Sequence, residues 1–403
     1  MTNGANVVIV GAGVTGLSTA YHLAKKRAGR IVVVEKGPVG NGSSLRAGGI
    51  ITGLMWDEEG VLVRKRCLEL YPLLSEDLEG YRFQQVGCLN LFTADSRQTW
   101  QEREALLPLY DRLGAPYEIL EPEEIARRWH ALRPHPGVRA LFDPLGGYSE
   151  PSEYIPALRR KVEAMGVEVR EFEPVTGFHM RGDRLAGVRT NSQLLEADAI
   201  VCTVYSWTRV LLGRIDVELP VKCFVHQCYM TSPLPEKVPI PAVNAHPYSC
   251  YFRPALGGRL LVGLSTPERE EYHVPSIDFE FSEITVATGE LQRQLVQNLT
   301  PLLPVLGQTS WEDEKVGLLT YSMDGGPILG PVARMPGLYV GLAFHSGVFA
   351  YNPGTGELLA EHVTDGRTSI DVRTWSPNRF DEADTKRYLA TTLRQKEVGT
   401  RRH

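Results

Sequence analysis

Asn6 to Val10 form a short continuous run of mostly β-branched apolar residues. That is the pattern of a strand buried on both faces of a parallel sheet. A glycine turn follows, Gly11-Ala12-Gly13-Val14-Thr15-Gly16, and then Leu17, Ala20, Tyr21 and Ala24 recur at helical spacing. A second apolar run, Ile31 to Val34, predicts a strand ending at Glu35. Farther on, Tyr154 to Met165 predicts a helix, Val167 to Glu171 a strand, and Ala197 to Cys202 a strand returning to the first. Leu338 to Ala343 reads as another strand, with a helix from the Asn352-Pro353-Gly354 segment through His362. Elsewhere the pattern changes to short β-like runs with polar turns, as in Cys88–Phe92, Phe224–Met230 and Arg259–Gly263. Helices are expected at Pro122–Trp129 and Phe281–Asn298. Residues 381–403 read as a polar helix and a frayed basic end without chemistry.

The chain has 403 residues, 43% of them hydrophobic and 23% charged. This composition excludes a disordered or fibrous chain and implies two domains, or one fold with a large insertion. No apolar run approaches the roughly 18–20 residues of a membrane span. The net charge of −5 argues against a nucleic-acid binder. The six cysteines include no CxxC pair, which points to buried thiols in a reducing, cytoplasmic compartment. The apolar stretch from Val7 has no basic region before it and reads as a strand rather than a secretory signal. The ten histidines form no HxH or HExxH cluster, so no metal site is expected.

The amino-terminal unit is strand, glycine turn, helix, strand, acid. Gly11 permits the tight turn, Gly13 lets backbone approach a pyrophosphate, and Gly16 lets the helix pack on the strand. The helix start offers unpaired N–H groups to the phosphates. Glu35 accepts from a ribose diol and disfavours a 2′-phosphate. A dinucleotide other than NADP is therefore expected.

Residues 36–50, KGPVGNGSSLRAGGI, resemble a loop of the D-amino-acid oxidase superfamily of flavoproteins, in its glycine oxidase and sarcosine oxidase branch. The matching residues are Ser43, Ser44, Arg46, Gly48 and Gly49. The resemblance recurs in Gly147-Tyr148-Ser149-Glu150-Pro151, in Met323 to Pro331, in Phe344 to Phe349 and in Ser376 to Phe380. It implies noncovalent FAD, held by Gly11, Gly13, Val14, Thr15, Gly16, Glu35, Lys36, the Ser43–Gly49 loop, Val175, Gly326, Ser346, Gly347, Val348 and Phe349. It also implies an α/β fold. A Rossmann-like FAD-binding domain (1–81, 145–215 and 311–380) would join a discontinuous, mainly antiparallel-sheet substrate domain (82–144 and 216–310). In the family the helix near Pro353 points its N-terminus at the flavin.

The activity implied is oxidation of a C–H bond beside the nitrogen of a small amine or amino acid. Oxygen or another acceptor would reoxidise the flavin, in a single chain or an oligomer. Tyr251, Arg253 and His345 are the candidate catalytic residues, with Tyr351, Met55 and Trp56 as further substrate contacts. Several positions depart from the relatives. The family's carboxylate-gripping arginines fall at Thr52 and Leu319, and its flavin-loop lysine at Ala350. Its flavin-tethering cysteine falls near Gly317, so noncovalent FAD is expected, and its oxygen-activating lysine falls near Leu261, an absence that tilts the reading toward a dehydrogenase. Tyr205 stands where relatives have a glycine beside the cofactor. The alternative readings are an FAD dehydrogenase of a hydroxy acid or polyol, and a flavin-holding β-subunit of a larger enzyme.

Overall fold

The computed structural model describes residues 5–94, 99–287 and 289–398. Its first sheet runs in the order Ile328–Pro331, Leu338–Leu342, Leu194–Cys202, Ala5–Val10, Ile31–Val34, Glu168–Arg170. All neighbours are parallel except the Ile328–Pro331 edge. Val8, Ile9, Val32, Val33, Ile200 and Val201 have no exposed surface, as continuous apolar runs require when helices or a second layer cover both faces. The helix Val14–Lys25 packs on one face beside Gly354–Thr364 and Pro151–Ala164. The hairpin Val175–Arg181/Arg184–Thr190 continues antiparallel from Leu194–Cys202.

The second sheet also has eight strands, in the order Trp311–Ser322, Val221–Thr231, Arg259–Leu264, Cys250–Ala255, Ala242–Ala245, Cys88–Phe92, Arg139–Asp143, Glu118–Leu120. It is antiparallel except where Ala242–Ala245 lies parallel to Cys88–Phe92. The strand Trp311–Ser322, in the span assigned from sequence to the FAD-binding domain, pairs along its length with Val221–Thr231 here. A two-stranded ribbon, Ile50–Ile51 with Gly147–Tyr148, links the halves.

Two expected elements differ. Phe281–Asn298 is not one helix: a single turn at Phe281–Glu283 gives way to irregular chain, and the helix is Glu290–Leu299. Ile284-Thr285-Val286 places β-branched residues in sequence, and Gly289 enters the left-handed region at φ 78°. The helix expected from the Asn352-Pro353-Gly354 segment through His362 is present as Gly354–Thr364, and a single helical turn, Val348–Tyr351, precedes it. Pro353 drives Asn352 out of helical geometry (ψ 140°). The buried Asn352 side chain donates to the Val14 carbonyl at 3.1 Å and accepts from the Tyr154 hydroxyl at 3.1 Å. Finally, the carboxy-terminal helix Glu382–Ala390 is followed by a docked segment. Gln395 donates to the Tyr321 hydroxyl at 3.0 Å, Lys222 to the Thr391 carbonyl at 2.6 Å, and Val398 is buried with Phe224 and Tyr321. Residues 399–403 of the expected basic end lie outside the described residues.

Candidate functional site

Two cavities open between the sheets and meet at Ser43, Tyr205 and Val348. The first holds about 1040 Å³ of space, part of it open to solvent, and the second about 920 Å³.

The glycine turn forms the floor of the first cavity. Gly11, at φ 101°, turns the chain, and the Thr203 hydroxyl sits 3.1 Å from the Gly11 carbonyl oxygen. A Cβ on Gly16 would lie far inside 3.0 Å of that same carbonyl oxygen, so only glycine lets the helix sit this close to the strand. Gly13 itself lines the cavity, and its nearest neighbour is the Ser44 hydroxyl, which accepts the Val14 N–H at 3.0 Å. The Ser43–Gly49 loop is thereby fastened to the helix start. Glu35 accepts the Ala12 N–H at 2.8 Å and the Gly37 N–H at 3.2 Å. Burial pushes its carboxyl upward, against the pull of those backbone donors. Val14, Thr15, Ser43, Ser44 and Val175 also line this space. The set fits an FAD: small backbone contacts at a helix start, an acid at the end of the second strand, and a long crevice leading to a second chamber.

Lys36 lines the same cavity, but its ammonium faces a segment from the other half of the molecule. It donates to the Ile277 and Phe279 carbonyls at 3.2 and 2.5 Å, pairs with Glu280 at 2.9 Å, and lies 4.5 Å from the Trp207 ring centre. Ile277 and Glu280 thus reach the cavity wall. Lys36 acts on the cavity by pinning this strap over it.

The second cavity is roofed by the antiparallel sheet. Tyr251 and His226 project from neighbouring parts of that sheet, and Nε2 of His226 lies 2.7 Å from the Tyr251 hydroxyl with the rings stacked at 18°. Gly263 is opposite Tyr251 in the ladder. The Tyr251 ring lies over it, within what would be the Cβ contact shell, which is how the phenol reaches His226. Asn244, His246, Ser265, Leu319, Gly317, His345 and Ser346 complete much of the wall, with Arg46, Gly48 and Gly49 on the loop side. The Arg46 guanidinium donates to the Asn41 and Gly42 carbonyls and lies 5.1 Å from the Phe281 ring centre. The wall therefore presents mostly neutral donors and acceptors. His345 is kept neutral: burial lowers its pKa to about 4, and its Nε2 sits 2.6 Å from the Gly325 carbonyl oxygen.

Several residues expected at the site are elsewhere. Arg253 shares a strand face with Tyr251, yet the Gly48 loop covers it. Its Nη1 pairs with Glu150 at 2.9 Å, Nε donates to the Gly48 carbonyl, and its guanidinium lies 4.6 Å from the Tyr148 ring centre. It is fully buried and does not line the cavity. Gly326 is held in a turn by Arg379, which pairs with Asp324 at 2.7 Å, and is on neither cavity wall. Of the Ser346–Phe349 loop, Ser346 and Val348 face the cavities. Gly347 packs on Arg64, while Phe349 is buried and its carbonyl accepts from Tyr71 at 2.7 Å. The helix start beside this chamber is Val348, not Gly354. Met55 and Trp56 are core residues around Arg103, and Tyr351 is buried against Arg64 at 4.2 Å. Thr52 donates to the buried Asp143 at 2.9 Å. His226, Asn244, His246 and Ser265 were not among the sequence candidates. For His226 the signal existed: it alternates with Phe224 and Cys228 in a run already read as a strand.

Proteins described as FAD dependent oxidoreductases match residues 6–362 of this chain. Sarcosine dehydrogenase from Homo sapiens is 25% identical over 386 residues, covering 94% of this chain and 42% of its own length. The chain thus spans about half the length of such relatives. Sarcosine oxidase subunit beta from Arthrobacter sp is 27% identical, covering 93% of this chain and 91% of its own length. Among solved structures, L-proline dehydrogenase from P. horikoshii superposes with a TM-score of 0.84 at 26% identity, over 94% of this chain and 98% of its own.

Proposed function

The chain belongs to the family of FAD-dependent oxidoreductases, and from that membership we propose that it oxidises a small secondary amine or amino acid on a noncovalently held FAD. The observation that carries the proposal is the pair of joined cavities, one built on the glycine turn and Glu35, the other walled by polar side chains with no carboxylate among them. When bound, FAD supplies a two-electron acceptor for the C–H bond beside the amine nitrogen, and water then hydrolyses the imine product. Gly11, Gly13, Val14, Thr15, Glu35, Ser43, Ser44 and Val175 would hold the nucleotide. Arg46, Gly48, Gly49, Ser346 and Val348 would flank the ring system.

Tyr251 and His226 orient the substrate through hydrogen bonds from hydroxyl and imidazole. No aspartate or glutamate is among the residues lining the second cavity, so a protonated amine there would lack a carboxylate partner. The chain binds the neutral amine. We therefore expect kcat/KM to rise with pH, approaching tenfold per unit below the amine's pKa. His345, already neutral above about 4, contributes no inflection in that range. Profiles measured with two amines of different basicity check this. The inflection should move with the substrate, and one fixed to the protein would overturn the reading.

Gly317, on the second cavity wall, offers no side chain for a flavin tether, and a Cβ there would press on Arg46 at 3.3 Å. The purified protein should be yellow, and acid precipitation should release all of the colour to the supernatant. Colour in the pellet would refute noncovalent binding, and a protein that takes up no FAD would refute the enzyme reading. A second reading, a flavin-bearing subunit of a larger enzyme, is favoured by the match to a protein named subunit beta over 91% of its length. Flavin reduction by an amine without turnover on artificial acceptors would favour it.

A further inference from the structure

Tyr205 lies at the junction of the two cavities and lines both. It opens the single turn Tyr205–Trp207 at φ 50°, in the left-handed region that disfavours side chains. Its hydroxyl crosses the crevice and donates to the His345 carbonyl at 2.6 Å. The chain on the receiving side is strained in the same sense: Ala343 has φ 61° and His345 has φ 44°. Neither is glycine, and such clustering of left-handed residues persists only where the surroundings impose it.

The surroundings do impose it. The His345 imidazole donates from Nε2 to the Gly325 carbonyl at 2.6 Å, and its ring stacks on Tyr321 at 5.6 Å. The Gly347 N–H closes the turn on the Phe344 carbonyl at 2.8 Å. Tyr205 is the anchor that reaches this turn from the opposite bank, from the end of the Leu194–Cys202 strand.

We propose that Tyr205 is a positioning residue for the cofactor: its hydroxyl holds the Ala343–Gly347 turn in its left-handed form and so fixes the surface that Ser346 and Val348 present to the flavin. The proposal rests on the FAD reading above. The tyrosine narrows the crevice at one point and, in exchange, ties its two banks together.

The test is Tyr205→Phe, which removes one hydroxyl and keeps the ring, with Tyr205→Gly as a second variant that also relieves the backbone. In the apo protein, amide exchange at Gly347 should quicken about fivefold to tenfold in Y205F, the scale of one lost hydrogen bond. The melting temperature should stay within about two degrees, as expected for a small local change in a chain this long. In the FAD-loaded protein, the visible circular dichroism of the flavin should change in both variants. Unchanged exchange at Gly347 overturns the proposal, and so does quicker exchange with unaltered dichroism. Wild-type protein that takes up no FAD sinks the cofactor reading itself. That result is read before any variant is made, and the exchange measurement then judges the hydrogen bond on its own.

Discussion

Gly16→Ala should give a protein that neither folds to normal stability nor retains FAD. The added methyl would sit far inside 3.0 Å of the Gly11 carbonyl oxygen and 2.9 Å from the Thr203 hydroxyl. Both neighbours are fixed: Gly11 is the turn itself, and Thr203, just after the strand Leu194–Cys202, is held by bonds to the Val10 and Gly11 carbonyls. Relief requires the helix Val14–Lys25 to lift from the sheet, and its first turn is where the phosphates would bind. Overpacking of this kind costs about 1–3 kcal/mol where side chains can yield, and here the obstacle is backbone. We expect at least 3 kcal/mol, on the order of the upper end of that range, and a loss of FAD affinity of about 100-fold or more. Gly13→Ala is the control. Its methyl would meet only the Ser44 hydroxyl, at 3.0 Å, while projecting into the first cavity. It should cost little stability, about 1 kcal/mol or less, and still weaken FAD strongly. Urea denaturation of the apo proteins and FAD titration separate the two effects. Equal FAD affinity in all three proteins would show that the turn does not face the cofactor.

Arg253→Met should be comparably damaging, for a different reason. The substitution keeps volume but strands the buried Glu150 carboxylate and removes the donor to the Gly48 carbonyl. Breaking a buried ion pair by removing one partner typically costs about 3–5 kcal/mol, because the remaining charge is uncompensated. Glu150→Gln in the same chain should recover part of that loss, since the amide needs no counter-charge. Arg253→Lys should fall between, as one ammonium cannot reproduce the guanidinium's separate contacts to Glu150 and Gly48. Unfolding midpoints of wild type, R253M, E150Q and R253M/E150Q, combined as a double-mutant cycle, give the coupling. If R253M kept full stability and raised only the KM for a carboxylate-bearing amine, Arg253 would be a substrate clamp after all.

Arg253 also shows what one chain's letters can reveal. Alternation puts Tyr251 and Arg253 on the same side of the Cys250–Ala255 strand, so a shared site was a fair expectation. Which residue faces open space depends on what lies above, and the Gly48 loop with Glu150 comes from distant parts of the sequence. The amino-terminal unit was legible because its information is local: a continuous apolar run, three glycines with separate steric duties, and an acid at the strand's end. The helix toward His362 was legible from Pro353 at its start, whereas the single helical turn Val348–Tyr351 before it was not. The strand carrying His226 was legible, but its pairing with Tyr251 was not, because that rests on Gly263, whose missing side chain lets Tyr251 lean across. Tyr205 read only as a departure from the relatives' glycine, because the sequence names a bulky residue without saying where its hydroxyl goes.

The interleaving of the two sheets has a further consequence, for the order in which the protein can take shape. The first sheet draws strands from residues 5–34, 168–202 and 328–342, and the second from 88–143, 221–264 and 311–322. Parallel neighbours such as Ala5–Val10 and Leu194–Cys202 must wait for everything synthesised between them. The glycine turn therefore leaves the ribosome early but gains its Thr203 support only after half the chain has emerged, and its sheet is completed later still by Leu338–Leu342. Until then, Val7–Val10 is paired on one side with Ile31–Val34 but open on the other, the kind of edge on which newly made chains associate wrongly. A nascent chain of this design depends on slow, long-range closure, and no single cut separates one sheet from the other.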